Sequence, residues 1–85
     1  MEKRSKEHIQ ENIKMLEASL KVYREEFLFV DRLRDRYFEK YDENRENQVI
    51  TDALTCYMDE LEEQIKQTLS VLNRDREKLE KENRN

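Results

Sequence analysis

Apolar residues recur along the first half of the chain at alternating intervals of four and three: Ile9, Ile13, Leu16, Leu20, Tyr23, Phe27 and Val30. This is the heptad spacing of a helix seam that packs on another helix. Taking Ile13, Leu20 and Phe27 as a positions puts Ile9, Leu16, Tyr23, Val30 and Tyr37 at d. A second row, Met15, Val22 and Phe29, repeats one heptad apart at c, and Leu33 continues it at g. These four positions adjoin on the helical wheel, so the apolar arc covers about 160–180°. A two-stranded coiled coil needs only the narrow a/d seam. An arc this wide predicts contact with two or more neighbouring helices.

The pattern then stops at a polar stretch, Asp42-Glu43-Asn44-Arg45-Glu46-Asn47-Gln48, and resumes beyond it. Met58, Ile65, Leu72 and Leu79 lie one heptad apart, and Leu54, Leu61 and Thr68 form the adjoining row. Ile50, Tyr57 and Val71 flank one side and Leu69 the other. The expected organisation is one all-α domain over 1–85: a helix at about 5–41, a turn at about 42–48 and a helix at about 49–80. Ser5 is the candidate N-cap of the first helix, and Asn47 or Thr51 of the second. Asn44 and Asn47 are the turn residues best suited to a left-handed conformation or a cap. Beyond Leu72 only Leu79 is apolar, so the tail from Asn73 is expected to fray.

Folding the chain near Arg45 matches apolar levels on the two arms. Tyr41 meets Ile50, Tyr37 and Phe38 meet Leu54, Val30 meets Leu61, Phe27 meets Ile65, Leu20 meets Leu72, and Ile13 meets Leu79. The alternative is one uninterrupted helix. It keeps Val30 and Tyr37 in phase with Met58 and Ile65, but its other seam position would carry Gln48, Thr55, Glu62, Leu69 and Arg76. The antiparallel hairpin is therefore the expected fold. A hairpin covers one side of each helix and leaves a row such as Met15, Val22 and Phe29 outside. Contiguous apolar patches of that kind mark contact surfaces. A dimeric four-helix bundle with an identical or a different hairpin is the expected assembly. The candidate interface residues, seam and dimer together, are Ile13, Met15, Leu20, Val22, Phe27, Phe29, Leu33, Arg34, Leu54, Tyr57, Met58, Leu61, Ile65 and Leu72.

Composition agrees with long helices. The chain has no Gly and no Pro, with 45% charged and 35% hydrophobic residues, so neither strong helix breaker is present. Net charge is −4, from 17 basic and 21 acidic residues that are well mixed. That balance gives no field to draw nucleic acid or an anionic membrane, which disfavours both as partners. No apolar run reaches the roughly 20 residues of a membrane span. No apolar stretch follows the basic N-terminal residues as a secretory signal would require. The single Cys56 suits a reducing cytoplasm, the expected location.

Candidate chemistry is sparse. His8 lacks the Glu-x-x-His partner of bundle metal sites, since Ser5 stands there. The run Asp59-Glu60-Leu61-Glu62-Glu63 points around its helix rather than converging. Arg32, Arg36 and Lys40 share a face but interleave with Asp31, Asp35 and Glu39. Arg34, at an a position, is a candidate buried, register-setting charge paired with an acid such as Glu60. Cys56 sits off the seam as a semi-exposed thiol. Tyr37, Phe38, Tyr41 and Tyr57 gather near the turn, as core filling or a docking tip. No nucleophile–base pair, phosphate-cradling loop or cofactor motif is present, so no enzymatic activity and no cofactor are expected.

Phe27-Leu28-Phe29-Val30-Asp31 reads F-x-x-x-D on a helix of a small two-helix chain. Size, hairpin pattern and this motif resemble the small helical-hairpin accessory proteins of type VII secretion, related in architecture to the WXG family. With no Gly and no Trp, this chain has no WXG turn. The resemblance implies a non-enzymatic partner of a large secreted toxin, exported with it without a classical signal peptide. It also implies a targeting role for Phe27 and Asp31. The leading expectation is an adaptor or chaperone-like module acting by helix packing. A small plasmid- or phage-type regulator of RNA, DNA or a polymerase component is the second reading, and a structural coiled coil the third.

Overall fold

The apolar rows settle into two helices that run antiparallel and pack along their length. The computed structural model describes residues 2–84, with side chains from residue 6 onward. Helix α1 spans Glu2–Glu39 and α2 spans Arg45–Arg84. The molecule measures 63 × 16 × 14 Å with a radius of gyration of 18.9 Å, where a compact domain of this length would have about 12 Å. Each helix therefore has one neighbour, and the uninterrupted rod is excluded.

The inner seam is made by the a and d rows. Ile13, Leu20 and Leu72 form one buried cluster, flanked by Ile9, Leu16, Ile65, Leu69 and Leu79. Val30, Met58 and Leu61 form a second, flanked by Tyr23, Phe27 and Leu54. Leu20 with Leu72 and Val30 with Leu61 follow the register expected from the fold-back. An ion pair from Arg76 to Glu17 (3.9 Å) crosses the arms in the same register. Phe27 and Ile65, expected as partners, pack into different clusters. Buried Thr68 carries the row on from Leu61.

Helix boundaries differ from the sequence pattern, for local reasons. The helix passes through Ser5 to Glu2, so Ser5 is not its N-cap. At the other end α1 stops at Glu39, and residues 40–44 make the turn, earlier than the polar stretch alone suggests. The turn tightens through i→i−3 bonds. Lys40 N donates to Tyr37 O (3.2 Å), Tyr41 N to Phe38 O (3.0 Å) and Glu43 N to Lys40 O (3.1 Å). Among the described residues none has positive φ, so neither Asn is used for a left-handed bend. Both serve as caps instead. Asn44 Oδ1 accepts from Asn47 N (2.8 Å), which makes Asn44, not Asn47 or Thr51, the N-cap of α2. Asn47 Nδ2 donates to Lys40 O (2.9 Å) and so satisfies a carbonyl just beyond the end of α1.

The segment expected to fray is helical to Arg84. Leu79 packs against the Ile13–Leu20–Leu72 cluster, and Arg84 Nη2 donates to Glu80 Oε1 (3.1 Å) one turn back. Lys81 and Arg84 in the last turn also favour the negative end of the helix dipole.

Candidate functional site

Three of the large apolar side chains that the hairpin leaves uncovered line up on one face. Met15, Val22 and Phe29 are 68%, 58% and 68% exposed, although each is large and apolar. Their heptad spacing keeps them in one stripe on α1 (the c row), two positions round from the seam. Leu33 continues the stripe half-buried. Small Ala18 and Ser19 leave a shallow hollow beside Val22 and Tyr23, of about 280 Å³.

Helix α2 adds to the same face. The Tyr57 hydroxyl donates to Glu26 Oε1 across the arms. Glu26 lies four residues after Val22 and three before Phe29, so Tyr57 is turned toward the α1 stripe. Val71, two heptads beyond Tyr57, shares its side of α2 and is also exposed. Donation to the Glu26 carboxylate, joined by desolvation and the negative charges of Glu26 and Glu60, raises the Tyr57 pKa above the ordinary tyrosine value.

The opposite face is different in kind. Leu28 and Phe38 are exposed there. Around Leu28, a groove is edged by Glu17, Lys21, Arg24, Glu25 and Arg76. Nearer the turn, Phe38 stacks obliquely on Tyr41 with ring centroids 5.9 Å apart. These two rings border an open hollow of about 450 Å³ with Arg34, Thr51, Asp52 and Thr55. Tyr41 donates to Asp52 Oδ1 at 3.4 Å. Tyr57 faces the other way, so the four-aromatic group does not assemble as one surface. Phe38, expected on the seam opposite Leu54, is largely exposed because it falls at e, outside the a row on the side away from the c stripe.

The remaining candidate residues resolve as follows. Ile13, Leu20, Met58, Leu61 and Leu72 are buried in the inner seam, with Phe27, Leu54 and Ile65 packed against it. Arg34 does not reach Glu60. Its guanidinium pairs with Asp31 (3.2 Å) and Asp35 (3.6 Å) on its own helix, and its side chain is 33% exposed. The long stem lifts the charge off the seam toward water. Of the F-x-x-x-D pair, Phe27 packs against the seam, and Asp31, half-exposed, accepts from Arg34. Cys56 is an exposed free thiol, His8 is exposed, and Asp59, Glu60, Glu62 and Glu63 all face solvent. Among the described residues no group of His, Cys, Asp or Glu is placed to hold a metal ion, and no helix is long and apolar enough to cross a membrane.

Sequence reasoning missed the Tyr57–Glu26 contact, because the fold-back register that matches Phe27 with Ile65 levels Glu26 about nine residues from Tyr57 and only the two long side chains span that offset. It also missed that Thr51 is buried, because a hydroxyl at a seam position reads as a polar cap.

No protein-family model, curated protein or solved structure matches this chain. Its functional reading therefore rests on the exposed stripe and its surroundings.

Proposed function

We propose that this chain is a non-enzymatic helical interaction module, an adaptor or chaperone-like partner that works by packing α1's outer stripe on other helices. One observation carries the reading. Met15, Val22 and Phe29 stand exposed in heptad register on a hairpin whose helices have one neighbour each. Burying a large apolar side chain contributes about 1.5–3 kcal/mol, so covering this row is a strong drive to associate. The wide apolar arc suits a four-helix arrangement, in which a second hairpin supplies the missing neighbours. An accessory partner of a secreted protein is one concrete form. Hairpin architecture supports it, whereas the engagement of Phe27 and Asp31 within α1 and its seam removes the short motif as an argument.

The test is co-purification with a tagged chain from the native cell, comparing wild type with Met15→Glu and Phe29→Glu. The expected result is a protein retained by wild type and lost from both variants, with helix content unchanged because both sites are exposed. Retention of the same protein by both variants would refute the stripe as the docking face. Recovery of nucleic acid, with binding that weakens steeply with salt, would favour the regulator reading instead.

A further inference from the structure

We infer that the stripe is covered by a second copy of this chain, α1 against α1, related by a twofold axis that crosses the helix beside Val22. The inference rests on the docking reading above and names its partner.

Like side chains decide which helices meet. The α1 half of the face is apolar, through Met15, Val22 and Phe29. The α2 half sets exposed Glu60, Gln64, Gln67 and Arg74 around Tyr57 and Val71. Packing α1 on α2 of the second copy would press the stripe against those polar groups. Packing α1 on α1 buries apolar on apolar. A twofold axis perpendicular to the helices makes the two α1 helices antiparallel. With the axis at Val22, Val22 meets its own copy in the hollow formed by Ala18 and Ser19. Met15 then meets Phe29 of the second copy, and Phe29 meets Met15.

The charges flanking the stripe select this register. Glu11, Ala18, Glu25 and Arg32 are all exposed, one heptad apart, along its outer edge. The axis at Val22 sets Glu11 opposite Arg32 of the second copy and Glu25 opposite small Ala18, each twice by symmetry. Sliding the axis half a heptad toward the turn would set Glu25 against Glu25 and Glu11 against Glu39. Sliding it the other way would set Glu11 against Glu25. Both alternatives oppose like charges. Overlap points to the same place. With α1 starting at Glu2 and the turn at residues 40–44, Val22 lies at mid-length of the hairpin. Two copies about that axis overlap along the full 63 Å.

The experiment uses the purified full-length chain in sedimentation equilibrium at micromolar concentration, with circular dichroism as the folding control. Wild type is expected to be a dimer. Val22→Glu, which puts like charges on the axis, is expected to weaken it by about a hundredfold or more while helix content holds, as for a central, fully covered interface residue. Glu11→Lys and Arg32→Glu should each weaken the dimer, and the double variant should recover it. In a Cys56→Ser background, Val22→Cys should cross-link to itself with a short bismaleimide. Met15→Cys should cross-link only when mixed with Phe29→Cys. A wild-type monomer, a dimer indifferent to Val22→Glu, or a double charge swap no better than its singles would overturn the inference. A folded monomer that still captures another protein through Met15 and Phe29 would overturn the self-pairing alone and leave the docking reading standing.

Discussion

Leu72→Ala tests the inner seam most directly. Leu72 is 1% exposed, the most completely covered side chain of the core, and it bridges Ile13 and Leu20 on the other arm. Truncation removes three buried carbons, worth about 2.4 kcal/mol at about 0.8 kcal/mol each. The unfilled space raises the cost to about 3 kcal/mol, toward the lower end of measured Leu→Ala effects because two helices can partly close on the gap. Leu28→Ala is the matched control. It removes the same atoms and gains the same helix propensity, but Leu28 is 56% exposed, so the loss is about 1 kcal/mol or less. For a chain of this size each kcal/mol moves the midpoint by about 4–8 °C. Leu72→Ala should therefore lower Tm by about 12–24 °C, against about 8 °C or less for Leu28→Ala. Far-UV circular dichroism during heating, checked by urea titration, measures both. Protein concentration must be matched, since any association makes Tm depend on it. Equal losses at the two sites would refute the seam assignment.

Three further outcomes follow from the turn, the buried hydroxyl and the cross-arm hydrogen bond. Asn44→Ala removes the Oδ1 acceptor from Asn47 N and should destabilise by about 1 kcal/mol in urea titration. No loss would mean that water caps α2 equally well. Thr51 is 4% exposed and its Oγ1 has no hydrogen-bond partner, so Thr51→Val, nearly the same shape, should stabilise by about 1 kcal/mol. A destabilised variant would show that the hydroxyl is satisfied in solution. The Tyr57 pKa is raised in the folded chain, so the folded state holds its proton longer than the unfolded one. This contribution to stability is complete below the ordinary tyrosine pKa and is lost as pH climbs through the raised value. Ultraviolet titration should show one late-titrating tyrosine that disappears in Tyr57→Phe. A wild-type curve whose late edge survives unchanged in Tyr57→Phe would refute the hydrogen bond to Glu26.

Much of the architecture was legible in local pattern. Helices need 3.6-residue periodicity and freedom from breakers, and both are properties of neighbouring residues. The heptads through Ile13, Leu20, Met58 and Leu72 therefore carried the seam, and the polar gap after Tyr41 carried the reversal. The same spacing marked Met15, Val22 and Phe29 as the row outside it. What local pattern did not carry was the competition among partners in three dimensions. Asn44 and Asn47 were equivalent as capping types until the turn bonds placed one at each helix end. Arg34 occupied a seam position by count, yet its flexible stem reached nearby aspartates at less desolvation cost than a buried pairing. The last turns of α2 read as too polar to hold, but Leu79 gains a place against the Ile13 cluster because the arms are of nearly equal length. Heptad counting could likewise put Tyr57 and Glu26 on flanking rows, but the register sets them about nine residues apart, and only the reach of the two side chains in the packed hairpin brings them into contact. A sequence states which faces of each helix avoid water; the packed hairpin decides which of those faces are already covered, because burial depends on residues far apart in the chain.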